Sequence, residues 1–295
     1  MRNTIYTLVL TLVLIGVIKL VLPEPKENKE LVEQFWVNKT FADSNYDVVV
    51  AGDSRVYRGV SIDHLTKGAG GELNGINIGY SSAGFSDEYL DFAVSKLNPE
   101  SKNKTLLIGL TPHSLTLEAF KNEDLKEHLE VGAFDQFRYR NLSPFLGHFS
   151  PYNPLDLVKR NDVNYQQEYN EDGWVASHYL RPDSSYALKS YTKVFSEYQV
   201  SDTAVTSFLS KIGEISSSGI EVLVFRPPTT VAMRNLEDSL SGYNEAYVVR
   251  ELEKMSIKHL GFDDSAFTSY DGSHLHQDAA RKLSFALGKQ ISEIN

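Results

Sequence analysis

A chain of 295 residues with 41% hydrophobic and 11% aromatic content carries enough apolar side chain for a packed core, which excludes a wholly disordered polymer. Its formal net charge of -10 sets the surface against nucleic acid and anionic headgroups, so no nucleic-acid partner is expected. The absence of cysteine excludes disulfides, thiolate metal sites, a cysteine nucleophile and a lipid-modified N-terminal cysteine.

From the N-terminus, Ile5 to Leu22 is an apolar run interrupted by Tyr6, Thr7, Thr11 and Lys19. At 1.5 Å per residue it spans roughly 27 Å, enough for a hydrocarbon core if Lys19 snorkels to the interface. Arg2 favours a cytoplasmic N-terminus. A cleaved signal peptide competes with this reading, but the run is long and Val21 to Lys26 lacks a small-x-small cleavage pattern. The expected organisation is an anchor over 1–23, a polar tether with an amphipathic lead-in over 24–45, and a globular domain over 46–295.

Within that domain Val48 to Ala51 is a β-branched run suited to a strand buried on both faces. Gly52 ends it in a turn, leaving Asp53 and Ser54 at the strand's carboxyl end. Ser61 to Leu65 predicts a short helix, Gly75 to Gly79 a second strand, and Ser86 caps a helix whose face carries Tyr89, Leu90, Ala93, Val94 and Leu97. Thr105 to Leu110 is the clearest buried strand after the first, and Leu115 to Glu130 predicts one or two helices. Between about 132 and 185, Pro144, Pro151, Pro154 and Pro182 fall among aromatic and polar residues without periodicity, the texture of an irregular insertion. Ser201 then opens a helix burying Val205, Phe208, Leu209, Ile212 and Ile215, and Glu221 to Phe225 is a further strand. Gly242 to Met255 predicts a helix, Ile257 to Leu260 a last short strand and Gln277 to Ile294 the closing helix. Strands alternating with helical patterns imply an α/β fold with a parallel sheet and crossover helices.

Ser54 is a candidate nucleophile only if a base takes its proton and a carboxylate orients that base. Asp271-Gly272-Ser273-His274, just before the closing helix, offers both. The competing roles are a helix cap for Ser54, an Asx turn for Asp271 and a structural or helix-end histidine for His274, with His276 a spare candidate.

Gly52-Asp53-Ser54 after a first strand, with Asp271-x-x-His274 before a last helix, resembles the SGNH (GDSL-type) hydrolase superfamily. That resemblance implies a flavodoxin-like three-layer α/β/α fold and a Ser54–His274–Asp271 triad. Apart from it, His113, His128, His148 and His178 are scattered without ligand spacing, so no metal is expected, and no cofactor is expected either. The resemblance also implies an oxyanion hole that uses the Ser54 N-H, with Ser82 or nearby Gly84 in place of the usual second-block glycine. Where the family has Gly-x-Asn-Asp, this chain reads Gly109-Leu110-Thr111-Pro112-His113-Ser114, so Thr111, His113 or Ser114 would have to stand in for an asparagine. Arg226, followed by two prolines at a strand's end, is an expected substrate-binding residue, with a salt bridge inside the fold as the alternative; His113 is another candidate. Arg55 and Arg58, close to Ser54, carry the same two alternatives as Arg226.

The likeness extends to divergent membrane-anchored envelope proteins, some of which work with membrane-bound O-acyltransferases. It implies an esterase or O-acetyltransferase acting on an extracytoplasmic polysaccharide. The chain would be a single-pass protein of the cell inner membrane, held by its N-terminal helix with a periplasmic domain. A non-catalytic binding or assembly subunit for a membrane-bound O-acyltransferase is the alternative.

Overall fold

The computed structural model describes residues 2–21, 29–71, 73–143 and 165–293. The chain divides into two compact units, one of Met1–Asn38 with Glu130–Val163 and one of Lys39–Leu129 with Asn164–Asn295.

The first unit holds helix α1 (Arg2–Val21), most of α2 (Lys29–Thr40) and, past the second unit's first stretch, the short helix Ala133–Phe137. The apolar run is helical as expected, and Ile5, Leu8, Leu10 and Leu14 are exposed. Among the described residues, however, no helix is long and apolar enough to cross a membrane, so the expected span is not supported by them. That span includes Lys19 and ends at Leu22, and the side chains from 18 onward lie outside the described residues. On the other strip of chain, Arg138 grips Glu30 through two hydrogen bonds of 3.2 and 2.6 Å, and Ser143 donates to the same carboxylate at 2.7 Å.

The second unit is built on five parallel strands, β1 (Val48–Gly52), β2 (Gly75–Asn77), β3 (Thr105–Gly109), β6 (Glu221–Phe225) and β7 (Lys258–Leu260), in the order β2-β1-β3-β6-β7. Val48 to Ala51 and Leu106 to Ile108 are fully buried, as their β-branched and aliphatic runs require in a sheet covered on both faces. The register is continuous, with Gly52 opposite Gly109 and Gly109 opposite Phe225.

Helices cover both faces. On one side α3 (Ser54–Gly59) and α4 (Ile62–Gly68) pack beneath the closing helix Gln277–Ser292, burying Val56, Val60, Leu65, Leu283 and Leu287 against Val48, Val50 and Leu107. A Cβ on Gly68 would overlap the Phe285 backbone, and one on Gly288 would overlap Leu65, so both glycines are needed for this close approach. On the other side lie α5 (Asp87–Ser95), capped by Ser86 as expected, and the helix Asp202–Ser217, which buries the five predicted apolar residues. Phe85 and Phe208 meet there with centroids 5.1 Å apart.

Two parts of the expected layout change. The irregular insertion contains an antiparallel hairpin, β4 (Tyr165–Tyr169) and β5 (Val175–Tyr179), joined by a turn at Gly173; Pro144, Pro151 and Pro154 lie outside the described residues. Order resumes before Ser201, with the helix Ser185–Glu197, and the helix Val231–Leu240 follows β6, at neither of which the periodicity predicts an element. Each buries only a few apolar side chains, so its sequence lacks a wide apolar stripe.

Candidate active site

β1 ends in a turn that only glycine fits. A Cβ on Gly52 would lie against Val56 and the Gly109 carbonyl. Asp53 then caps α3, its Oδ1 accepting the Arg55 N-H at 2.9 Å. Ser54 is thereby the first residue of that helix, at the carboxyl end of a central strand and beside β3, where the strand order reverses. Open parallel sheets place their ligand sites at this kind of crevice. As the opening residue of a helix, Ser54 has an N-H with no intrahelical acceptor, free to serve an oxyanion.

The partner loop is held by its own Asx turn. Asp271 Oδ1 accepts the N-H groups of Ser273 and His274 at 2.9 and 2.7 Å, with Gly272 at a φ of +90°. The turn leaves Asp271 Oδ2 for the imidazole, 2.7 Å from His274 Nδ1. Nδ1 therefore carries the proton, and Nε2 faces Ser54 Oγ at 2.9 Å as an acceptor. Residues 220 positions apart are brought into hydrogen-bond contact. The cap and Asx-turn readings coexist with the triad, because each uses atoms that the triad leaves free.

The electrostatics suit a neutral base. Burial works upward on Asp271, yet the adjacent His274 and the backbone N-H groups hold its carboxyl down at about 2. Burial first, and the Arg58 guanidinium second, pull His274 below its ordinary value against the opposing Asp271. Arg58 Nη1 lies 3.3 Å from Nε2 and 3.4 Å from the Tyr270 hydroxyl. A guanidinium only donates, so Arg58 reinforces the tautomer with an unprotonated Nε2. The Tyr270 ring stacks on the imidazole at 14°, centroids 5.8 Å apart, fixing its plane.

Several expected residues have other work. The Gly84 N-H donates to the Ala119 carbonyl at 3.1 Å, which removes it from the oxyanion hole. Thr111 is fully buried, and its hydroxyl donates to Asp53 Oδ2 at 2.6 Å beside Ser114 Oγ at 2.8 Å. It supports the nucleophile's cap and is not placed as an oxyanion donor. Ser82 is exposed in the loop after β2 with a φ of +51°, and its carbonyl accepts from Asn122. His113 stands 6.5 Å from the Tyr191 ring, and burial lowers its pKa against the opposing Asp53.

Arg226 and Arg55 are corrected from substrate contacts to structural ones. Arg226 is buried and bonds Glu237, Asp238 and Glu245 at 2.9, 2.8 and 2.6 Å. Arg55 is buried against the other Glu237 oxygen, and its Nε donates to Ser273 Oγ at 3.0 Å. Glu237, fully buried between two guanidinium groups, thus ties α3 to β6, and Arg55 ties α3 to the histidine loop. Sequence reasoning missed Glu237; the available signal was its position four residues after Met233 on the buried stripe of one helix. Arg58, four residues after Ser54, shares the nucleophile's face for the same reason.

Comparison of the chain with protein-family models, curated proteins and solved structures finds no match.

Proposed function

We propose that the second unit is a serine-dependent acyl-transfer domain of SGNH type, working as an esterase or O-acyltransferase. The observation that carries this reading is the Ser54 Oγ to His274 Nε2 to Asp271 Oδ2 relay, at 2.9 and 2.7 Å, at the carboxyl end of a parallel sheet. With the hairpin set aside, the strand order is 2-1-3-4-5, which supports a flavodoxin-like arrangement.

Ser54 Oγ attacks the ester carbonyl while its proton passes to His274 Nε2. The Ser54 N-H, with a donor from the Ser82 loop, receives the oxyanion. Collapse breaks the carbonyl carbon to alcohol oxygen bond, and the departing oxygen takes the proton from Nε2. Water or a sugar hydroxyl then gives its proton to Nε2 and attacks the acyl carbon; the acyl carbon to Ser54 Oγ bond breaks, and Oγ takes the proton back from Nε2. Asp271 holds the ring and stabilises the transient imidazolium throughout.

We propose that this chemistry works at the cell inner membrane with the domain on the periplasmic side, near an envelope polysaccharide or other acylated glycan, a reading whose support is the apolar N-terminal run. A membrane-bound O-acyltransferase is the partner such an arrangement suits. The second reading, a non-catalytic assembly subunit for that partner, is favoured by the commitment of Gly84 and Thr111 elsewhere, which leaves few oxyanion donors. The deciding experiment treats the full chain with a fluorophosphonate, beside Ser54→Ala and His274→Ala. Labelling lost in both variants supports the catalyst; a folded wild-type chain that does not label supports the assembly role.

A further inference from the structure

Arg55, Arg58 and Arg226 differ in what answers their charge. Arg55 and Arg226 share Glu237, and Arg226 adds Asp238 and Glu245. Arg58 has no carboxylate within 4.0 Å among the described residues. Its partners are the Tyr270 hydroxyl, His274 Nε2, the Tyr57 phenol and the face of the Tyr57 ring, 5.0 Å from the guanidinium carbon. Its Nε is buried with no hydrogen-bond partner. A largely buried cation with no carboxylate in contact, answered by Asp271 only from beyond the imidazole, is costly, and an orphaned buried donor adds to that cost. An anion reaching the Nη1 side of the guanidinium, beside His274 and Ser54, would answer the charge.

The position also says which part of a substrate that anion belongs to. Arg58 reaches the same imidazole nitrogen that returns a proton to the alcohol oxygen. A group held by its guanidinium therefore belongs to the alcohol half of the ester and not to the acyl half. Tyr165 and Tyr179, half-buried with ring centroids 4.7 Å apart, flank Tyr270 at 5.8 and 5.1 Å and add apolar surface at this end of the site.

Resting on the acyl-transfer reading, we infer that Arg58 is a specificity residue for a carboxylate or phosphate on the alcohol half of the substrate. The acceptor or donor glycan is anionic: a uronic-acid saccharide or a polyol-phosphate polymer. The chain's net charge of -10 makes this a local selection by one residue and not attraction by the whole surface.

The test is protection of Ser54 in the full chain from fluorophosphonate labelling. The protecting compounds are uronic-acid oligosaccharides, oligomeric glycerol phosphate and neutral oligosaccharides of equal length. A charge-assisted contact predicts half-protection by an anionic compound at a concentration about 10-fold lower than by the neutral one, or lower still. Whichever anionic series protects better names the source of the anion. Arg58→Gln, whose labelling rate is expected to change because Arg58 touches His274, is read only as the ratio of anionic to neutral half-protection and is expected to lose the difference. Arg58→Lys, which keeps the charge, keeps part of it. If Arg58→Gln does not label, loss of the difference in Arg58→Lys to the level of a neutral side chain overturns the inference. Equal protection by charged and neutral saccharides overturns the inference and leaves the acyl-transfer reading intact, as does a preference that survives in Arg58→Gln. Failure of the folded wild-type chain to label at all overturns the acyl-transfer reading, and this inference with it.

Discussion

Replacing Glu237 by Gln keeps the volume of the side chain and removes the charge that two buried guanidinium groups share. Arg226 retains Asp238 and Glu245, but Arg55, 2% exposed, loses the one carboxylate that pairs with it in direct contact among the described residues. Breaking a buried pair from one side costs about 3–5 kcal/mol, because the remaining charge stays desolvated and unanswered. For a unit of about 200 residues, each kcal/mol moves the unfolding midpoint by about 2–4 °C, so Glu237→Gln should unfold roughly 6–20 °C below wild type. Thermal unfolding followed by circular dichroism at neutral pH measures this. The pH dependence supplies a second, independent reading. Glu237 sits below its ordinary pKa in the fold, since the two arginines outweigh the upward push of burial. Its contribution is therefore complete above the ordinary carboxylate range and is lost as pH falls through the depressed folded value. The gap between wild type and Glu237→Gln should close in acid. A midpoint within about 1 °C of wild type at neutral pH would refute the argument that this glutamate holds α3 and β6 together.

Three further outcomes follow from the site and its scaffold. Asp271→Asn should fold normally yet lose about 10⁴-fold in labelling or turnover rate, because the amide favours the wrong imidazole tautomer; stopped-time labelling against the unfolding midpoint separates the two effects. The acid limb of the rate profile should have its half-point below pH 6.5, since burial and Arg58 lower His274, and Arg58→Gln should move that half-point upward; a limb unchanged in the variant would remove Arg58 from the account. Gly173→Ala should destabilise the second unit by about 2 kcal/mol, because Gly173 has a φ of +86° and its Cβ would overlap the Asn77 carbonyl oxygen; denaturant unfolding measures the loss.

The sheet was legible wherever a strand is buried on both faces. Val48 to Ala51, Leu106 to Ile108 and Val222 to Phe225 announce themselves as continuous aliphatic runs, since nothing polar fits there. The meeting of Ser54, His274 and Asp271 was legible because it depends on short motifs at the two ends of the domain. The roles of the arginines were not. A guanidinium that binds substrate and one that binds Glu237 are the same letter, and the decision rests on whether a carboxylate from another helix is within reach. Thr111 was misread for a related reason: the motif position fixes where the residue sits beside Asp53, but its hydrogen bond is set by a capping carboxylate in another segment. The hairpin Tyr165–Tyr179 stayed hidden because its first strand alternates between half-buried and exposed positions with few aliphatic residues.

Ser54 lies near the beginning of the second unit and His274 near its end, and the loop carrying His274 is held down by the helix Gln277–Ser292 seated on α3 and α4. During synthesis Ser54 leaves the ribosome 220 residues before His274, and the helix Gln277–Ser292 that seats the His274 loop emerges later still. On the acyl-transfer reading, the serine lacks its base for the whole of that interval. A chain cut between Leu260 and Gln277 keeps every strand of the parallel sheet and has no helix to seat the His274 loop, so on the acyl-transfer reading completion of the site waits on the helix Gln277–Ser292.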